Sequence, residues 1–283
     1  MMSRRKFLKL TAAGLAGMVG VPGVGISYAH YIEPHWVDIS RVSLRLPRLH
    51  PAFQGFRLAQ ISDIHLDTWT GESHQRLKEA VDFLNQEKLD AVAITGDFVT
   101  ATTDPVVTDP LVQELSRLKP FSVAVLGNHD YWTNAASIRQ VLHKSGIVEL
   151  DNDVVTLEKA GAALHLAGVD DIWEKKHRLD RVLEKLPDDG AAILLAHEPD
   201  FADESAATGR FDLQISGHSH GGQIRLPLFG APVLPWLGQK YPSGQYQVGS
   251  MIQYTNRGLG MAFPTVRFNC RPEITLFTFL TPR

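Results

Sequence analysis

Short motifs rich in histidine, aspartate and asparagine recur along the 283-residue chain, and each follows a short apolar run. Imidazole, carboxylate and amide groups all bind divalent cations, so these motifs predict a metal centre with nitrogen and oxygen ligands. Sulfur cannot build such a centre, because the chain has a single cysteine, Cys270. In chain order, the motifs are Asp63-Ile64-His65, Gly96-Asp97, Gly127-Asn128-His129-Asp130, His197 and Gly217-His218-Ser219-His220-Gly221-Gly222.

The spacing inside two of these motifs is typical of chelation. Asp63 and His65 are separated by one residue, and so are His218 and His220. On an extended segment, side chains two residues apart point to the same side, so we expect each pair to be able to hold one ion. The glycines that flank the second pair permit a tight turn and a close approach of the backbone to a ligand.

The remaining ligand candidates indicate which metals suit the site. Asp97 supplies a carboxylate that can bridge two cations, and Asn128 offers a neutral carbonyl oxygen. A mixed set of nitrogen and oxygen donors favours Mn, Fe, Zn or Ni over Ca and Mg, which prefer shells of oxygen alone.

The elements that must position these motifs alternate between apolar strands and amphipathic helices. Strands are predicted at 56–61, 91–95, 121–126, 154–157, 163–169, 191–196, 213–216, 245–255 and 274–280. Helices are predicted at 73–87, 134–144 and 178–186, the first with Ser73 as its N-cap. The polar stretch 100–109 is predicted to be a rim or lid loop.

This order of strands and helices favours an α/β fold of two packed sheets with helices outside. Ligands collect beyond the carboxyl ends of strands in such sheets, which is where all five motifs begin.

The bulk composition is that of an ordinary globular protein. The chain is 44% hydrophobic and 21% charged, which allows a sizeable core. A net charge of -3 gives no electrostatic argument for binding nucleic acid, and none is expected.

The N-terminus resembles a twin-arginine export signal. Arg4-Arg5 precedes Lys6-Phe7-Leu8, and a weakly apolar stretch then ends at Ser27-Tyr28-Ala29. We expect residues 1–29 to be a signal peptide or a retained anchor, and residues 30–283 to form the enzymatic domain. The resemblance implies the twin-arginine translocase as a partner and delivery to the periplasm or the outer face of the cytoplasmic membrane. A plain basic tail before a short helix is the alternative.

The order of the five motifs resembles the calcineurin-like metallophosphoesterase superfamily over residues 57–220. Further runs at 31–36, 217–227, 257–260 and 267–274 are similar to the bacterial YaeI/YkuE-type phosphodiesterase branch. The resemblance implies the fold of that superfamily, in which two packed mixed β-sheets are flanked by helices in a four-layer α/β/β/α arrangement.

The resemblance also implies a role for each motif residue. One ion would be held by Asp63, His65, Asp97 and His220, and the second by Asp97, Asn128, His197 and His218. His129 would face the substrate without binding metal, and Asp130 would orient His129. Two divalent transition metal ions are expected, Mn, Fe or Zn, with Mn favoured.

Such a centre predicts a metal-dependent phosphoesterase in which a hydroxide bridging two metals attacks a phosphodiester or pyrophosphate bond. His129 would stabilise the phosphoryl charge or protonate the leaving group. The substrate is expected to be envelope-associated and lipid-linked, with peripheral membrane contact. The alternatives are a UDP-2,3-diacylglucosamine-type pyrophosphatase of lipid A synthesis, a phosphomonoesterase and, last, a non-catalytic metal-bound interaction module.

Two features bear on the substrate. Residues 226–237 are unusually apolar for a loop rich in Pro and Gly, and we expect burial against the second sheet, with an exposed rim that meets a lipid as the alternative. Arg225, Lys240 and Arg257 are candidates to hold a second phosphate. Phe98, Tyr131 and Trp132, together with residues 100–103, are expected either to border the pocket or to pack as ordinary loop residues.

Overall fold

In the part of the chain that the structure describes, twelve strands form two six-stranded sheets. The computed structural model describes residues 25–68 and 72–283. The strands are β1 (Asp38–Arg45), β2 (Arg57–Ile61), β3 (Ala91–Thr95), β4 (Phe121–Val125), β5 (Val148–Glu149), β6 (Asp153–Lys159), β7 (Ala162–Gly168), β8 (Ala191–Leu195), β9 (Leu213–Ser216), β10 (Gly244–Val248), β11 (Met251–Thr255) and β12 (Glu273–Leu280). The helices that follow or separate them are α1 (Ser73–Gln86), α2 (Pro105–Leu115), α3 (Asn128–Thr133), α4 (Ala135–Lys144), α5 (Leu179–Lys185) and α6 (Ala202–Ala207). Residues 25–31 are also helical.

Both sheets are mixed. The first has the order β1-β12-β2-β3-β4-β5, and the second has the order β10-β11-β9-β8-β7-β6. In the first sheet only the β12 and β2 pair is antiparallel, whereas in the second the outer pairs β10 with β11 and β6 with β7 are antiparallel. The central strands β2, β3 and β4, and likewise β7, β8 and β9, run parallel to one another.

The core explains why these strands are apolar at consecutive positions. Side chains alternate between faces, so Val92 and Ile94 of β3 pack under the helices while Ala91 and Ala93 face the other sheet. Strands buried on both faces need apolar residues throughout. Helices α1, α2 and α4 cover the first sheet, and α5 and α6 cover the second. The layers are therefore α/β/β/α, as the sequence predicted.

Two local predictions were wrong. Ser73 is the first residue of α1 and does not cap it. Its hydroxyl accepts from the amide of Asp67 at 3.1 Å and donates to the carbonyl of Asp67 at 3.2 Å.

Residues 105–109, predicted to be loop, begin α2 with Pro105 in the first turn. Proline suits that position, and the buried residues Val107 and Leu111 are four apart, which places them on one face.

Strand β1 was not predicted because it lies at a sheet edge, where three of its eight residues are exposed and its apolar pattern is weak. The single predicted strand 245–255 is instead a hairpin, β10 and β11, which turns at Gly249 with φ of 58°.

The loop 226–237 is also not buried, contrary to expectation. Leu228, Phe229 and Val233 are 102%, 86% and 75% exposed. The reason is that residues 226–230 pair with one another, through the Leu226 and Gly230 bridge, so the side chains at the start of the loop project outward. The end of the loop does pack as expected, since Leu237 contacts the core under the helices of the second sheet.

Of the predicted export segment, residues 1–24 lie outside the described residues. Within the described ranges, no helix is both long and apolar enough to cross a bilayer.

Candidate metal centre

Five strands bring the motifs to one place. β2, β3 and β4 of the first sheet and β8 and β9 of the second all end at the same edge of the two-sheet core, each followed by its motif. Gln60 joins the two sheets just below this edge, because its amide donates to the hydroxyl of Thr95 and to the carbonyl of Ser216, both at 2.9 Å. The ligand candidates therefore come from both sheets.

The motif side chains form two overlapping groups. Asp63, His65, Asp97 and His220 form the first group, and Asp97, His197 and His218 form the second. Within each group the potential ligand atoms lie within 4.8 Å of one another, and every residue is buried. Asp97 belongs to both groups. Its Oδ2 lies 3.5 Å from Nε2 of His65 and 3.2 Å from Nε2 of His197. The arrangement suits a dinuclear metal site with Asp97 shared.

Asn128 provides a test of whether a cation fits. Its side chain is 2% exposed, and its Oδ1 has no hydrogen-bond partner among the described residues. A buried carbonyl oxygen without a partner costs free energy, so such atoms usually have one. Asn128 lines the same pocket as Asp97 and His218. A divalent cation in the second group would satisfy this oxygen, so the residues present fit the metal.

The prediction that the paired ligand residues lie on extended segments was wrong. Asp63, His65, Asp97, His218 and His220 all have positive φ, between 46° and 68°. This left-handed conformation is unfavourable for residues with a side chain and is concentrated at functional sites. With these turns, the two histidines of the last motif belong to different ligand groups. His218 belongs to the second group and His220 to the first.

Glycines allow the loops to approach one another. A Cβ on Gly217 would lie 1.9 Å from the hydroxyl of Ser62 and 2.2 Å from Oδ2 of Asp63. A Cβ on Gly127 would lie 2.4 Å from Oδ1 of Asp97. Any side chain at these positions would displace a ligand carboxylate.

Backbone carbonyls fix the tautomers of two histidines. A carbonyl can only accept, so Nδ1 of His197 donates to Thr95 at 2.6 Å and Nε2 of His218 donates to Trp236 at 2.8 Å. The other ring nitrogens, Nε2 of His197 and Nδ1 of His218, lie 3.3 Å apart. Hydrogen bonds of this kind orient metal-binding histidines and keep the second nitrogen free for the metal.

The electrostatics of the cluster favour the metal-binding forms of three histidines and of Asp97. Two ligands are shifted the other way, because burial raises the pKa of Asp63 to about 6 and Asp97, against the effect of burial, raises the pKa of His197 well above its usual range. Burial lowers the pKa of His65 to about 3, and it also lowers the pKa values of His218 and His220. Burial alone would raise the pKa of Asp97, but the imidazoles around it, with His197 contributing most, hold that pKa well below its usual range. Neutral imidazoles and an ionised carboxylate are the forms that bind a cation.

His129 lies beside the metal cluster but in neither group. Its Nδ1 donates to the carbonyl of Thr100 at 2.8 Å, so Nε2 is the nitrogen left for a ligand. Its backbone amide donates to Oδ1 of Asp97 at 2.9 Å, which ties the residue to the shared carboxylate. The ring stands 4.7 Å from that of His65 and 4.8 Å from that of Trp132, and it lines the pocket.

The expectation that Asp130 orients His129 was wrong. The buried Asp130 carboxylate accepts from the backbone amides of Asp97, Phe98 and Gly127 at 2.8 to 3.0 Å. The His129 ring is held by Thr100 instead. Asp130 therefore fixes the backbone that carries Asp97 and the start of α3, and it is a positioning residue.

The pocket over the cluster has a volume of about 380 Å³ and is largely apolar on the side away from the metal ligands. The described residues that line it include no lysine or arginine. They are Asp97, Asn128, His129, Trp132, Trp173, His218, Ser219, His220, Gly222, Gln223, Ile224, Pro232, Val233, Pro235, Ala262, Phe263 and Pro264.

The three cations considered for a second phosphate are engaged elsewhere. Arg257 pairs with Glu273 and Asp38, each at 2.8 Å. Lys240 pairs with Asp203 at the surface. Arg225 donates to the carbonyl of Gly221 and to the hydroxyl of Ser243, both at 3.2 Å.

Of the three aromatic residues expected to border the pocket, one lines it and two do not. Trp132 lines the pocket, whereas Phe98 is fully buried in the core under the helices. Tyr131 does not line it and donates to Oδ2 of Asp170 at 2.5 Å.

Sequence reasoning missed the supporting role of Arg267. This fully buried guanidinium donates to the carbonyls of Arg257, Gly258, Gly260 and Cys270. The loop 257–260 that it holds packs on the first motif, where the amide of Gly260 donates to the carbonyl of Asp63 at 2.6 Å. Burial lowers the pKa of Arg267 to about 10. The available signal was that both segments belong to runs typical of the family.

Comparisons with known proteins agree with this site. The profile of the calcineurin-like phosphoesterase family matches residues 56–222. The chain is 36% identical to the uncharacterized metallophosphoesterase YkuE of Bacillus subtilis, over 98% of this chain and 97% of that protein. It is 30% identical to the phosphodiesterase YaeI of Escherichia coli, over 98% of both chains. It is 31% identical to a transmembrane protein with a metallophosphoesterase domain from Danio rerio, over 83% of this chain and 55% of that protein.

Proposed function

Because this chain belongs to the calcineurin-like phosphoesterase family and is a hydrolase of phosphoric esters, we propose that it cleaves a phosphodiester with two divalent cations and a hydroxide shared between them. The observation that carries the proposal is the position of Asp97 in both buried ligand groups. One cation is assigned to Asp63, His65, Asp97 and His220, and the other to Asp97, Asn128, His197 and His218.

The chemistry of the site divides between the cations and the protein. Two divalent cations held by these residues would lower the pKa of a shared water and neutralise charge on the phosphoryl oxygens. The protein supplies His129, whose Nε2 is free while Thr100 holds its Nδ1. His129 stabilises the phosphoryl charge or protonates the leaving oxygen. Among Mn, Fe and Zn, which all suit the mixed donor set, Mn is favoured.

The pocket favours a diester over the alternatives. A phosphodiester carries one negative charge and a second ester group, and the apolar wall suits that group. A nucleotide pyrophosphate, as in the UDP-2,3-diacylglucosamine-type reaction, brings a second phosphate, for which the described lining has no lysine or arginine. A phosphomonoester has one organic group where a diester has two, and it carries up to two negative charges at a described lining without lysine or arginine.

The test compares hydrolysis of bis-p-nitrophenyl phosphate and p-nitrophenyl phosphate with Mn²⁺ present and after chelation. We expect the diester to be cleaved about tenfold faster or more, because the pocket gains from the second aryl group. Chelation should abolish turnover, and added Mn²⁺ should restore it. Preference for the monoester would indicate a phosphomonoesterase. Two bound metals without activity on either ester would favour a non-catalytic module, and turnover that survives complete metal removal would refute the metal centre.

We further propose export by the twin-arginine translocase to act on an envelope-associated substrate in the periplasm or at the outer face of the cytoplasmic membrane. The support is the Arg4-Arg5 motif and the apolar stretch that follows it. The double change Arg4→Lys and Arg5→Lys should leave the folded chain in the cytoplasmic fraction, because the translocase reads the arginine pair. Cell fractionation and blotting measure this, with Arg41→Lys as the control. Equal export of the double variant would contradict the proposal.

A further inference from the structure

An exposed apolar surface borders the pocket. We call the six residues Leu226, Leu228, Phe229, Val233, Trp236 and Phe263 the apolar rim. Leu228, Phe229 and Phe263 are at least 86% exposed. Single exposed apolar residues are ordinary, but a group of this size at a pocket mouth is typical of an interaction surface.

Leu228 is the least expected member of the rim. It lies in a turn closed by the amide of Gly230, which donates to the carbonyl of Leu226 at 2.9 Å. Its φ is 69°, a left-handed value that glycine or asparagine adopts at lower cost. Neither the backbone conformation nor burial within this chain favours leucine at this position. The side chain is therefore placed for contact with something outside the chain.

The apolar rim is continuous with the pocket that leads to the metal centre. Val233 and Phe263 line the pocket itself. From Trp236 a series of aromatic rings runs inward, with centroids 5.1 Å apart for Trp236 and Trp173, 5.4 Å for Trp173 and Trp132, and 4.8 Å for Trp132 and His129. A hydrocarbon group that enters over the rim thus has an apolar path to the catalytic histidine.

The N-terminal part of the described chain meets the body beside the same mouth. The carbonyl of Ala29 accepts from the amide of Arg267 at 2.9 Å, and Nδ1 of His30 donates to the carbonyl of Thr265 at 3.2 Å. Thr265 follows Pro264, which lines the pocket. Ile26 and Tyr31 are exposed here. Residues 29 and 30 therefore contact the body next to the apolar rim, and in the sequence they follow an apolar stretch.

We propose that the apolar rim docks on a lipid bilayer and that the substrate is a lipid phosphodiester whose hydrocarbon chain lies along the apolar wall of the pocket. The chemistry of this step rests on the proposed function. Docking rests on the rim alone, because apolar side chains that enter the interface gain from burial and aromatic residues favour that depth. The bilayer, and not a soluble protein, is the chosen partner because the chain reaches the mouth from an apolar N-terminal stretch.

Docking is tested with an environment-sensitive fluorophore on the full chain. The variant Phe229→Cys is labelled with nitrobenzoxadiazole at the new thiol, since the native Cys270 is buried. Vesicles of phosphatidylethanolamine and phosphatidylglycerol should shift its emission to the blue. The control is labelled Phe121→Cys, at the start of β4 on the opposite edge of the sheet, which should not shift. No shift at position 229, or an equal shift at both positions, would overturn the docking proposal.

Turnover tests the substrate class separately. The double variant Leu228→Asn and Phe229→Ser changes residues outside the pocket lining, and its melting temperature should not fall, because asparagine suits the left-handed position. Hydrolysis of vesicle phosphatidylglycerol should decrease about tenfold or more, whereas hydrolysis of bis-p-nitrophenyl phosphate should not change. Equal rates of variant and wild type on vesicles would refute the lipid assignment. If the wild type cleaves neither substrate, the proposed function fails while the fluorescence result still decides docking.

Discussion

The change Asp97→Asn is expected to remove metal from both positions at once and to lower diester turnover by about 10³-fold or more. Asp97 is the one carboxylate common to the two ligand groups, and its Oδ2 faces both His65 and His197. Asparagine has the same shape but presents no negative charge, so both cations lose their shared ligand. The amide oxygen can still accept from the amide of His129, so the loop should keep its conformation.

Metal content per chain, measured by elemental analysis beside the turnover of bis-p-nitrophenyl phosphate, checks this expectation. Asp109→Asn, an exposed acid on α2, is the matched control and should retain full metal content and activity. Circular dichroism shows whether the variant is folded. A folded Asp97→Asn chain that still binds two metal ions tightly would show that Asp97 is not the shared ligand.

The change His129→Ala is expected to give the opposite pattern, with both metal ions retained and turnover reduced about 10²- to 10⁴-fold. His129 lies in neither ligand group, and Thr100 holds its Nδ1 so that Nε2 remains for the substrate. Deleting the ring removes a proton donor or a charge stabiliser and leaves the metal ligands in place. His143→Ala, an exposed histidine at the end of α4, is the control.

The leaving group distinguishes the two roles of His129. If the imidazole protonates the leaving oxygen, the loss should be larger for an alkyl ester than for p-nitrophenolate, which departs without a proton. If it stabilises the phosphoryl charge, both esters should lose similar factors. Loss of metal from His129→Ala in parallel with activity would contradict the separation of roles between this histidine and the metal ligands.

Most strands and helices could be predicted because their own residues follow an apolar or amphipathic pattern. Strands such as β3 and β8 are buried on both faces, and β3 is apolar at all positions but the last and β8 at every position, so their runs stand out. The five motifs are visible because they interrupt those runs with ligand residues. The predictions failed where local signals were weak or misleading, as at the edge strand β1 and at α2, whose start at Pro105 directly follows a polar stretch rich in Thr.

The roles of the supporting residues could not be predicted from the sequence. Asp130 adjoins His129 along the chain, and adjacency suggested that one orients the other. The fold turns the Asp130 carboxylate toward the backbone amides around Asp97, and it brings the Thr100 carbonyl to the imidazole instead. Arg267 supports the first motif across roughly two hundred residues of chain, a distance at which no sequence pattern reports contact.

By itself the sequence determined the types of side chain available for chemistry, the α/β character of the chain and the family to which it belongs. These depend on composition and on short periodic patterns, which are local properties. The tertiary structure decided which histidine joins which ligand group, which carboxylate is shared, and that the apolar loop faces outward. Those outcomes depend on left-handed turns at Asp63 and Asp97, and on packing between two sheets, which bring together residues far apart in the chain.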